Sequence, residues 1–168
     1  IVQAGRDLSM TANNMTANRD AALLADGNVT LGNPVSPTQL EASRFLGIQA
    51  GGAFTQAAGS TTVSQVVEIG ADAIVNAGTI AAQDLTLEAT NAIDNRGGTL
   101  LGVAAISLTA NSLDNRQGES FRGGEIHTGG DANIDLVTTV NNSGGTIKAQ
   151  GILSLNAPET DYLTQAQG

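Results

Sequence analysis

A short phrase that returns about every twenty residues limits this chain to very few architectures. Ile93-Asp94-Asn95 is followed by a Gly-Gly step at Gly97 and Gly98, then Thr99-Leu100 and the alternating Ile106-Ser107-Leu108. The phrase starts again at Leu113-Asp114-Asn115. Upstream it reads Ile74-Val75-Asn76-Ala77-Gly78-Thr79-Ile80 with Leu85-Thr86-Leu87. Downstream it reads Val140-Asn141-Asn142-Ser143-Gly144-Gly145-Thr146-Ile147 with Leu153-Ser154-Leu155. A fixed period of this length is the mark of stacked repeats, each of which buries its apolar face only against its neighbours.

The alternation runs over three to five residues between Gly and Asn, which indicates short strands rather than helices. Three apolar rows follow from aligning the copies. One is the Leu-x-Leu row, read as Leu85, Ile106, Ile134 and Leu153, with starts separated by 21, 28 and 19 residues. A second is Ile80, Leu100, Ile126 and Ile147, and a third is Ile74, Ile93, Leu113 and Val140. Leu8-Ser9-Met10, Val29-Thr30-Leu31 and Phe54-Thr55-Gln56 read as earlier copies of the apolar-polar-apolar strand, and Val66, Val67 and Ile69 as a fourth. Three strands per turn predict an all-β, right-handed parallel β-helix of roughly eight coils, a rod on the order of 38 Å long at strand spacing. Aromatic residues make up only 2% of the 168, which suits the narrow core of a solenoid and not a sandwich or bundle.

Asn76, Asn95, Asn115 and Asn142 hold one position in four successive copies. Stacked amides at strand spacing can bond along a ladder, and Asn and Gly both suit a sharp corner. These Asn are therefore assigned a structural role.

Two stretches break the period. Ser36-Pro37-Thr38-Gln39 has a capping-box spacing with Pro at the first helical position, and Leu40, Phe45 and Leu46 make an apolar stripe before Gly47. A helical insertion over 36–46 is predicted. The second break, 116–125, reads as a loop, and loops inserted in solenoids often carry binding. Its candidate contact residues are Arg116, Glu119, Phe121, Arg122 and Glu125. The rod is expected to occupy 1–157, with 158–168 an irregular tail or linker. Ile1 falls in mid-pattern, so a piece of a longer repeat protein is expected.

Charge and composition narrow the function. A net charge of −9 opposes nucleic-acid binding, and no apolar run approaches the roughly 18 residues of a membrane helix. Cysteine is absent, so no disulfide framework is available and stability rests on stacking. A single histidine, His127, and no cysteine leave no zinc spacing and no nucleophile elbow, so His127 reads as an outward surface residue. Gly129–Leu136 partly matches a calcium-binding nonapeptide but lacks the second-half Gly and any tandem copy. No metal or cofactor is expected.

The one catalytic alternative uses carboxylates. Asp94 and Asp114 lie one copy apart with Arg96 and Arg116 beside them, an arrangement available to a polysaccharide-active β-helix enzyme. The equivalent positions elsewhere are Val75 and Asn141, and the aromatics are only Phe45, Phe54, Phe121 and Tyr162. A surface ion network explains the Asp-x-Arg pairs more simply, and the chain is not expected to be an enzyme. Asn14-Met15-Thr16 and Asn28-Val29-Thr30 fit the glycosylation pattern in a chain rich in Asn and Thr, and receive no role.

IDNRGGTL, LDN-R-x-G, VNNSGGTIKAQGILSL and AGRDLSMTA together resemble the repeats of filamentous haemagglutinins and of contact-dependent growth inhibition exoproteins. The resemblance covers about residues 74–155 closely, 1–31 less so and 32–72 poorly. It implies a right-handed parallel β-helix exported by two-partner secretion through a dedicated outer-membrane transporter. It further implies a secreted or cell-surface rod on a Gram-negative bacterium, acting as an adhesin or toxin-delivery stalk, with a receptor or glycan on the target cell as a possible partner.

Overall fold

The structure, a computed structural model, describes residues 1–118 and 122–161. Every regular element among them is a strand, all strands of the rod pair in parallel, and the chain winds through about seven turns. No helix among the described residues is long and apolar enough to cross a membrane.

Each turn contributes to three faces. On the first, Leu8, Val29, Phe54, Ile74, Ile93, Leu113 and Val140 stack in register. On the second, Met15, Leu40, Thr62, Ile80, Leu100, Ile126 and Ile147 do so. On the third, Leu46, Val67, Leu85, Ile106, Ala132 and Leu153 lie beside a parallel row of Ile48, Ile69, Leu87, Leu108, Ile134 and Leu155. Long strands such as Thr79–Ala89 and Thr99–Asp114 bend around corners and serve more than one face. Side chains alternate in and out along each strand, so these rows meet as one narrow core.

The second and third predicted rows stand as read. The first is corrected in two places. Leu8, Val29 and Phe54 stack with Ile74 and Ile93, not with Leu85, whose upstream partners are Val67 and, one turn further, Leu46. Ala132, not Ile134, stands opposite Ile106, which makes the separations 21, 26 and 21 from starts 85, 106, 132 and 153. A slip of two residues leaves every side chain on the same side of the sheet, so alternation alone does not detect it.

The helix predicted over 36–46 is absent. Asn33 and Ser36 close a tight turn, with Asn33 Oδ1 accepting from the N–H groups of Val35 and Ser36 at 2.9 and 2.8 Å. Gln39–Ala42 and Phe45–Ala50 are strands on the second and third faces. Leu40, Ala42, Leu46, Ile48 and Ala50 alternate inward and are buried, whereas Phe45 points outward and is half-buried. A strand here satisfies its backbone on both neighbouring turns, which a single helical turn outside the rod would not. Thr38 caps no helix: its hydroxyl donates to Met10 O at 3.0 Å and its N–H donates to Ser60 Oγ at 2.9 Å.

Candidate functional site

The corner after the first face carries the most ordered polar chemistry in the rod. Asn76 Nδ2 donates to Asn95 Oδ1 at 2.8 Å, Asn95 Nδ2 to Asn115 Oδ1 at 2.8 Å, and Asn115 Nδ2 to Asn142 Oδ1 at 2.6 Å. The same amides also donate to carbonyls of the following strand, among them Thr99 O, Glu125 O and Thr146 O. All four side chains are buried. Most of their hydrogen-bonding capacity is used within the rod, from turn to turn, which is a structural use.

Gln56 extends the ladder by one turn and escaped the sequence reading. It pairs in register with Asn76 and donates from Nε2 to Asn76 Oδ1 at 3.3 Å and to Thr79 O at 2.8 Å. The available signal was an amide in that register followed by Gly59, but the Asn that marks the other four copies is replaced by Gln.

The Gly-Gly step divides two tasks. Gly97 takes a left-handed backbone, φ +69°, which only Gly adopts without strain. At Gly98 a Cβ would stand 2.3 Å from Asn76 O, so close approach of the neighbouring turn excludes any side chain.

Asp94 and Asp114 are each clasped by the Arg two residues on. Arg96 reaches Asp94 with Nε at 2.9 Å and Nη2 at 2.6 Å, and Arg116 reaches Asp114 with Nε at 2.9 Å and Nη2 at 2.7 Å. A longer contact, Arg96 Nε to Asp114 Oδ2 at 3.7 Å, links the two turns. Burial raises the Asp114 carboxyl, but hydrogen bonds from Arg116 and the charges of Arg116 and Arg96 outweigh it, so its pKa lies below the ordinary value. A glycosidase acid needs the reverse, a carboxyl held protonated near neutral pH. The arrangement is an ion network.

In the 116–125 loop, Arg116 is thus engaged by Asp114, and the loop base is tied by Gly118 N–H to Arg122 O at 2.8 Å and Gly124 N–H to Arg116 O at 3.1 Å. Arg122 is exposed, and Glu125 opens the strand Glu125–Thr128. Glu119 and Phe121 lie outside the described residues, as does the tail from 162 to 168. His127 occupies an outward position between Leu101 and Lys148 on the second face. No group of three or more His, Asp or Glu with metal-binding proximity occurs among the described residues.

The family described as haemagglutinin repeat matches the chain over residues 2–97, 72–119 and 111–157. No curated protein and no solved structure matches it.

Proposed function

The chain belongs to the haemagglutinin-repeat family, and on that premise we propose that it is a section of a large filamentous exoprotein, serving as a rigid stalk for adhesion or toxin delivery. Proteins of the family are typically secreted or cell-surface. The proposal includes export through a dedicated outer-membrane transporter, display on a Gram-negative cell, and contact between the 116–125 loop and a receptor or glycan on a target cell.

One observation carries the stalk reading. Backbone pairing runs turn to turn from the first strand to the last, and a buried amide ladder follows its corner for five turns from Gln56 to Asn142. Stacking by nearest neighbours gives a stiff spacer, and it allows a chain emerging in order from a transporter to fold turn upon turn. The clasped Asp94 and Asp114 give no support to the polysaccharide-active alternative.

The test is binding of the labelled fragment to bacterial and to epithelial cells, side by side. Selective binding to bacteria favours contact-dependent competition, and selective binding to epithelial cells favours a host adhesin. Shortening 116–125 to repeat length is expected to abolish whichever is seen; undiminished binding would remove that loop from the proposal.

A further inference from the structure

The outward side of the third face is interrupted by a hollow of about 410 Å³ that spans four turns. Two rows cross it: Ala22, Gly47, Glu68 and Thr86 stack in register, as do Leu24, Gln49, Gly70 and Glu88. Further along the rod the same rows carry Ser107 and Thr109, then Asn133 and Asp135, with no glycine to open the surface.

The two glycines form the floor. A Cβ on Gly47 would lie 3.0 Å from Phe45 Cε1, so the half-buried Phe45 ring leans over that glycine. A Cβ on Gly70 would lie 2.6 Å from Gln49 Oε1, so the Gln49 amide lies over the other. Glu68 and Glu88 are exposed at the rim, and neither is in an ion pair among the described residues. The nearby cation Arg44 is held by Asp20 through Nε at 2.9 Å and Nη2 at 2.6 Å.

We propose that this hollow binds an amine-bearing oligosaccharide of the glucosamine type. The apolar face of a sugar ring rests on Phe45, hydroxyls bond Gln49 and Thr86, and the ammonium groups meet Glu68 and Glu88. An aromatic body beside a few placed polar groups is the usual make-up of a small-ligand site. Charge-assisted bonds from ammonium to carboxylate are the stronger kind, and a carboxylated or sulfated glycan would be repelled by the same two groups. Four turns span about 14 Å at strand spacing, which suits a short oligomer over a single sugar. The proposal rests on the adhesin reading and deepens it by naming a glycan chemistry, and it adds a second contact separate from the 116–125 loop.

The test titrates the full chain with chitosan oligomers, N-acetylated chitin oligomers, a sulfated oligosaccharide and oligolysine by calorimetry. Binding is expected for the chitosan oligomers, weaker binding for their acetylated counterparts, and none for the sulfated sugar. Phe45→Ala and Gly70→Val are each expected to weaken chitosan-oligomer binding at least ten-fold. Both are expected to keep the fold, because Phe45 faces outward and the atoms nearest a Cβ at Gly70 are those of the flexible Gln49 amide; cooperative thermal unfolding of each variant checks this. The double variant Glu68→Gln with Glu88→Gln is expected to lose the preference for the free amine. No binding of chitosan oligomers, undiminished binding by Phe45→Ala and Gly70→Val, or equal binding of oligolysine would overturn the site. If Gly70→Val abolishes sugar binding but the fragment adheres to no cell, the site stands and the adhesin reading falls. Cell adhesion that Gly70→Val leaves intact would instead remove the hollow as the receptor site and spare the adhesin reading.

Discussion

Asn115 shows how single side chains hold this rod. Its Nδ2 has Asn142 Oδ1, Gly124 O and Thr146 O as acceptors, while its Oδ1 accepts from Asn95. Asn115→Ala strands buried groups on both neighbouring turns, and a loss of roughly 2–4 kcal/mol is expected, since each stranded group costs about 1–3 kcal/mol. Asn142 stands at the end of the ladder and donates only to Gly145 O at 3.3 Å, so Asn142→Ala is expected to cost less. Urea midpoints compare the two, and equal losses would refute the ladder as a coupled unit. Asp114 gives a pH signature. Its carboxyl is depressed in the fold, so it stabilises the fold above its unfolded pKa, and that contribution is lost as pH falls through the folded value. The thermal midpoint of Asp114→Asn is therefore expected below the parent at pH 7, with the gap closing below about pH 4. A gap that widens on acidification would contradict the assigned sign.

The strands over 39–50 show how a local signal loses to stacking. A helix would place Leu40, Phe45 and Leu46 on one stripe, and truncation of each would then hurt alike. In the strands Leu46 is fully buried between Ala21 and Val67, while Phe45 faces outward. Leu46→Ala is expected to cost about 2–5 kcal/mol, and Phe45→Ala no more than about 1 kcal/mol, as for most surface changes. Chemical denaturation of the two variants checks this, and comparable losses would restore the helical reading. The capping-box tetrad was legible and real as a pattern, but its Thr38 and Ser36 serve turns instead. What outweighed it is the alternation of Leu46, Ile48 and Ala50, which becomes decisive only when the turns above and below are in place.

Seven turns that touch only their neighbours make a molecule whose stability varies along its axis. Middle turns are covered on both sides: Ile74, Ile93 and Leu113 are no more than 1% exposed. Leu8, Met10 and Met15 at one end, and Leu153 and Leu155 at the other, are only partly buried. Hydrogen exchange of this chain is expected to be slowest in the strands from Ala73 to Asp114 and faster in Val2–Ala17 and Thr146–Asn156. Uniform protection from end to end would mean that the rod opens as a single unit and that the nearest-neighbour account is wrong.

By itself the sequence determined the class of fold, because a twenty-residue period with two-residue alternation leaves a chain little choice but stacked strands. It also determined the corner, since Asn76, Asn95, Asn115 and Asn142 recur with their glycines in view. Register was decided by the tertiary structure. The turns between Val29 and Phe54 and between Leu113 and Val140 are longer than the rest, and a two-residue slip keeps every apolar side chain facing inward. Only packing against the adjacent turn put Ala132 opposite Ile106 and Gln56 beneath Asn76. The hollow on the third face has the same origin. Phe45, Gly47, Gln49, Glu68, Gly70 and Glu88 form no motif along the chain, and they meet because parallel stacking brings residues one turn apart to within strand spacing.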